Sequence, residues 1–169
     1  MQNNDIVVQS SRFVALVLLQ VLVLNNINLF GYVNPYLYIF FIVLFPFGAN
    51  KSLLLLLSFF LGLSIDIFSN SGGIHAAACL VIAQLRPLLL KFSFGISYEY
   101  NSVKLNKTPF NKRLLYILLM VLIHHAILFS LEIFNVSNIL LILKSTFFSG
   151  AFTSILIVCT LLLFGRKIN

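Results

Sequence analysis

Seven ionisable side chains stand inside otherwise apolar sequence: Asp66, His75, Arg86, His124, His125, Glu132 and Lys144. In a membrane-spanning helix such a group costs at least ~2.5 kcal/mol at the bilayer centre, so each requires a partner, water or a task. Three chemistries are open to these residue types. An acid beside a histidine passes protons or holds a substrate, opposite charges at one depth pair, and clustered histidines ligate a metal.

Spacing narrows the choice. His75, Cys79, Ile82 and Arg86 follow one another at steps of four, three and four, which puts them on one stripe of a helix. That stripe is expected to face protein rather than lipid. Asp66 ends one apolar run and His75 begins the next, so both belong near the same membrane face, where the start of a helix favours a carboxylate. A local lock between two hairpin helices is one reading of the pair; a proton or substrate site is the other. Arg86 precedes Pro87, which frees a backbone carbonyl one turn earlier for the guanidinium, and its long stem also permits snorkelling to the inner interface.

Glu132 and Lys144 are expected at similar depths on consecutive helices, as an ion pair. His125 lies seven residues before Glu132, nearly on the same face, and His124 is turned about 100° away. Hydrogen bonding between helices is expected for them. No second ligand cluster supports a metal site, and no cofactor is implied. No nucleophile with its base, phosphate-binding glycine loop or paired carboxylates can be assembled, which argues against an enzyme.

The elements that must hold these groups follow from composition. The chain has 169 residues, 60% hydrophobic and 9% charged, with a mean hydropathy of +1.05, a balance that water-soluble domains do not reach. One all-α polytopic membrane domain over residues 1–169 is predicted. Its apolar runs are 13–30, 35–47, 53–68, 74–90, 114–134 and 139–164, about six transmembrane helices. The second is the weakest, since Asn34-Pro35 reads as a cap and first helical position while Pro46 stops the helix early. Ser69-Asn70-Ser71-Gly72-Gly73 is a tight turn between the third and fourth runs, with Ser71 as a candidate cap. Cys79 and Cys159 lie in apolar runs without metal or redox spacing and are expected as core residues.

The charge of +7 is too dispersed for a nucleic-acid surface. It reads as a topology signal instead. Arg12, Lys51, Lys91, Lys104, Lys107, Lys112, Arg113, Arg166 and Lys167 all fall on one side of a six-span arrangement, and the opposite connections near 25–34, 69–73 and 135–138 hold no Lys or Arg. By the positive-inside rule both termini are cytoplasmic. The longest connection, 91–113, carries five basic residues against Glu99 alone, which suits the anionic inner leaflet or a cytoplasmic partner.

Several segments carry a family resemblance: Asn34-Pro35-Tyr36-Leu37-Tyr38, Leu44-Phe45-Pro46-Phe47, Gly62-Leu63-Ser64-Ile65-Asp66-Ile67-Phe68, Gly73-Ile74-His75-Ala76-Ala77, Ala83-Gln84-Leu85-Arg86-Pro87, and His124-His125 with Leu131-Glu132. In this order they resemble the rod shape-determining protein MreD family, in the version typical of Bacteroidetes. The loop from Ser93 to Asn111 has no matching motif. The resemblance implies an inner-membrane component of the cell-wall elongation complex, needed for cell shape. It implies association with an MreC-type partner and, through the complex, with MreB and the RodA and penicillin-binding-protein-2 synthase pair. It also implies a fold similar to the substrate-binding subunits of energy-coupling-factor transporters. A vitamin-binding transporter subunit is the alternative, although the first span lacks a small-residue face. Small residues recur around Gly62 to Asp66 and Gly150 to Ser154, which marks Gly62 and Gly150 as candidate faces for lateral partner packing.

Overall fold

A computed structural model describes residues 3–31, 33–95 and 108–164. The described residues are helical apart from turns and one isolated antiparallel bridge between Leu29 and Val33. Five helices are long and apolar enough to cross a membrane. They are α1 (Asn3–Leu22), α3 (Lys51–Ser69), α4 (Ile74–Phe94), α5 (Phe110–Ile133) and α6 (Ile139–Phe164). The polytopic all-α class expected from composition is therefore present. The basic residues 104, 107, 166 and 167 that entered the orientation argument lie outside the described residues.

Helix α1 starts well before the apolar run at Phe13. Its polar first turns satisfy themselves locally, with Arg12 donating to Gln9 Oε1 at 3.4 Å and Ser11 to the Val8 carbonyl at 3.0 Å. At the far end the chain reverses at Leu29 and Val33, whose amides and carbonyls exchange two bonds of 2.9 Å, with Gly31 at φ +79° within the turn.

The second apolar run does not form a span-length helix. A single 3-10 turn at Leu37–Ile39 leads into the five-residue α2 (Phe40–Leu44), together about 12 Å of helix at ~1.5 Å per residue. Asn34-Pro35 does not cap it: Pro35 and Tyr36 are not helical, and the Asn34 side chain accepts from the Asn28 amide instead. Pro46 does stop it, holding Phe45 at ψ 140°. The segment is the most deeply buried part of the molecule, with Tyr38, Ile39, Ile42 and Val43 fully enclosed.

Around it the helices pack in chain order, α3 on α4, α4 on α5 and α5 on α6, with α1 against α3. Asn50 caps α3 by accepting from the Ser52 amide at 2.8 Å, and Asn70 ends it in the left-handed region at φ 53°. The turn 70–73 makes α3 and α4 antiparallel. Bonding of Asn25 to Ser69 at 2.9 Å brings the C-terminal ends of α1 and α3 together. Lys51, Lys91, Lys112 and Arg113 thus share one end of the bundle, toward which Arg12 also lies.

Gly62 decides how closely α3 and α4 approach. A Cβ there would meet the Ala76 backbone at 2.4 Å, whereas one at Gly150 would meet side chains alone, Leu122 at 3.4 Å and Val121 at 3.8 Å. Backbone cannot yield as a leucine methyl can. Gly62→Ala is expected to destabilise the protein by about 1–3 kcal/mol through overpacking, and Gly150→Ala to leave it within about 0.5 kcal/mol. Thermal unfolding of the two variants in mild detergent checks the contrast.

Candidate functional site

Four of the seven ionisable residues of the spans, His75, Arg86, His124 and His125, meet around the broken segment 35–47, the weakest of the expected spans and the one expected to be short, tilted or partly re-entrant. Its upper half is held by histidines. Tyr38 Oη bonds His75 Nδ1 at 2.7 Å and His124 Nε2 at 2.9 Å, so one phenol ties α4 to α5. Tyr36 packs its ring 5.4 Å from both His75 and His125, centroid to centroid, with Phe129 at 6.2 Å.

The partners assign the protons. His125 Nδ1 faces the Val121 carbonyl at 2.8 Å, which only accepts, so this nitrogen carries the hydrogen and Nε2 accepts from Thr153 Oγ1 at 3.1 Å. Thr153 Oγ1 in turn accepts from the Tyr36 amide at 2.9 Å. The Tyr38 hydroxyl has one proton for two imidazoles. His124 Nδ1 is buried without a partner among the described residues, and leaving a lone pair there is cheaper than leaving an N–H. This favours His124 Nε2–H donating to Tyr38, and Tyr38 donating to His75.

Arg86 holds the lower half. It is 3% exposed, donates Nε to Tyr116 Oη at 3.1 Å and Nη2 to the Phe45 carbonyl, and lies over the Phe47 ring at 5.3 Å. Snorkelling is thus not its fate. The carbonyl it takes is not the one that Pro87 would free within α4, but the one left without a helical partner where Pro46 ends α2. Among the described residues the guanidinium forms no ion pair; its charge is met by a carbonyl dipole, a phenol and an aromatic face.

Asp66 meets the backbone of α4 rather than the His75 ring. Oδ1 accepts from the His75 amide at 3.0 Å and from Ser71 Oγ, and Oδ2 accepts from the Ala76 amide at 2.8 Å. A carboxylate from the preceding helix therefore caps the first turn of α4. Ser71 serves that carboxylate and does not cap the helix itself; the N-cap position is Gly73 at φ 96°. Of the two readings of the Asp66 and His75 pair, the geometry is that of a hairpin lock.

Other expectations change. Glu132 and Lys144 are both exposed and do not pair with each other. Nine residues separate Lys144 from Thr153, which faces α5, and at about 100° per residue that places Lys144 on the opposite side of α6. Gly62 and Gly150 are buried against α4 and α5, so neither offers an open lateral face. Cys79 is enclosed as expected, but Cys159 is exposed.

No group of three or more His, Cys, Asp or Glu among the described residues is arranged to hold a metal ion. The nitrogens of His125 are both committed, as are one each of His75 and His124. What the arrangement does chemically is satisfy a non-helical stretch of backbone inside an apolar bundle. The fold and this frame define a polytopic α-helical membrane protein with a broken helix enclosed by five spans. No protein-family model matches the sequence, and neither does any curated protein or solved structure.

Two substitutions test the frame. Tyr38→Phe removes the link between His75 and His124 and is expected to cost about 1–3 kcal/mol, the range for stranding buried polar partners. Arg86→Lys is expected to be nearly as damaging as Arg86→Gln, because an ammonium cannot span Tyr116 and Phe45 as the planar fork does. Unfolding midpoints in detergent measure both, and wild-type stability of Arg86→Lys would overturn the geometry.

Proposed function

We propose that this protein is a non-enzymatic scaffold of the cell-wall elongation complex in the bacterial inner membrane. It binds an MreC-type single-span partner and, through the complex, MreB and the RodA and penicillin-binding-protein-2 pair. The observation that carries the scaffold reading over a transporter subunit is the filled interior. A vitamin-binding subunit needs a ligand cavity. Here Tyr36, Tyr38, Phe41 and Phe45 occupy the middle of the bundle at 6, 0, 1 and 1% exposure. The elongation complex itself is implied by the ordered resemblance, whose segments include the frame residues Tyr36, Tyr38, Asp66, His75, Arg86, His124 and His125.

The proposed topology has six crossings, five by long helices and one by the broken segment. His75 bonds Tyr38, and Arg86, about 16 Å further along α4, bonds Phe45, so the segment runs parallel to α4 from one end of the bundle toward the other. With the basic end inside, both termini are cytoplasmic, and the fold is of the kind found in energy-coupling-factor substrate-binding subunits.

Two measurements test these points. Single cysteines at Asn70 and Ser137 should label from outside intact cells, and those at Lys51 and Lys112 only after permeabilisation; the reverse pattern overturns the orientation. Depletion in the native host should convert rods to rounded cells, and an MreC-type protein should co-purify with the chain from gently solubilised membranes. Tight vitamin binding with normal cell shape after deletion would decide for the transporter subunit.

A further inference from the structure

Helix α4 has two faces. The inner one carries His75, Cys79, Ile82 and Arg86, all buried; the outer one carries Val81, Gln84, Leu88 and Phe92, all exposed. Gln84 stands ten residues from either end of the helix, about 15 Å from each. This is the middle of a ~30 Å hydrocarbon layer.

Gln84 differs from other exposed polar residues of the spans. Ser11 and Ser130 return their hydroxyls to carbonyls of their own helix, and Lys144 lies near the start of α6 within reach of the interface. The Gln84 amide has no hydrogen bond among the described residues. It lines a lateral groove of about 360 Å³ between α3 and α4, whose other walls are Leu55, Leu80, Val81 and Leu85. An amide held at mid-membrane beside an apolar groove faces lipid that can satisfy neither its donors nor its acceptor.

We infer that this groove is where a second copy of the chain docks, with α4 against α4 and the two Gln84 amides bonded to each other. A primary amide is its own complement: each Nε2 donates to the other's Oε1. In a two-fold pair about the membrane normal both copies keep the same topology, so the second Gln84 arrives at the same depth by symmetry. A different partner would need an independent polar group placed at that level. The apolar ridge of Val81, Leu88 and Phe92 flanks the amide on both sides, giving the seam a length of about three turns. Such pairs hold membrane helices together with one polar contact amid close apolar packing. The inference does not rest on the cell-wall reading.

The experiment uses the full chain in native membranes, with Cys79→Ala and Cys159→Ser as background. Single cysteines at Val81 and Leu88 should form disulfide-linked homodimers on oxidation, while one at Leu162, exposed on α6, should not. Adding Gln84→Leu should raise the dissociation constant roughly five- to thirty-fold, the range expected for one hydrogen-bonded amide contact in a membrane, and Gln84→Asn should retain part of the association. Since Gln84→Leu faces outward, its unfolding midpoint should match the background protein; a fall in both would assign Gln84 to folding and overturn the inference. Equal cross-linking at all three positions, single-copy particles by photobleaching, or cross-links from Leu88 to another protein would also overturn it.

Discussion

In hydrocarbon an amide or carbonyl without a partner costs several kcal/mol, and a chain escapes that cost only as continuous helix or by finding side chains to replace the missing ladder. The stretch from Asn34 to Phe47 takes the second route. Its amides at Asn34 and Tyr36 donate to Ser149 and Thr153 of α6, its Pro35 carbonyl accepts from Gln20 of α1, and its Phe45 carbonyl accepts from Arg86 of α4. The placement of Gln20, Arg86, Ser149 and Thr153 in the surrounding helices follows from this requirement. They ring a broken segment, and a regular sixth helix would have left most of them with no task.

The same requirement explains how a guanidinium can sit inside the bundle with no carboxylate beside it among the described residues. A buried charge is costly to desolvate, and a carboxylate beside it would itself have to be stripped of water. A carbonyl that already lacks a partner adds no such cost. Pro46 creates that acceptor by ending α2, and Tyr116 and Phe47 complete the enclosure. Asp66 works by the same logic at the other end of α4, where a helix start supplies amides that need an acceptor.

Periodicity along one chain reached some of this. The stripe of His75, Cys79, Ile82 and Arg86 is buried throughout, because 3.6-residue spacing fixes a face without knowledge of neighbours. The early stop at Pro46 was legible for an equally local reason. The partners of these residues were not. Depth suggested a bond between Glu132 and Lys144, but depth carries no azimuth, and α6 turns Lys144 away from α5. Tyr36 and Tyr38, central to the frame, stood out only within a segment that carries the family resemblance, with no role attached. The available signal was indirect: a run bounded by Pro35 and Pro46 is too short to span as helix, so its backbone must be satisfied from elsewhere.

The bonds that hold the broken segment come mainly from helices made after it. Tyr36 waits for Thr153, 117 residues downstream, and Asn34 for Ser149, 115 downstream. Tyr38 waits for His75 and then His124. During synthesis α1, α3 and α4 are each apolar enough to enter the bilayer independently, whereas residues 34–47 have no complete set of partners until α6 has left the ribosome. The hydrogen bonds of the second segment are therefore complete only once the final helix is in place, which makes α6 the latch on a part of the fold that precedes it by more than a hundred residues.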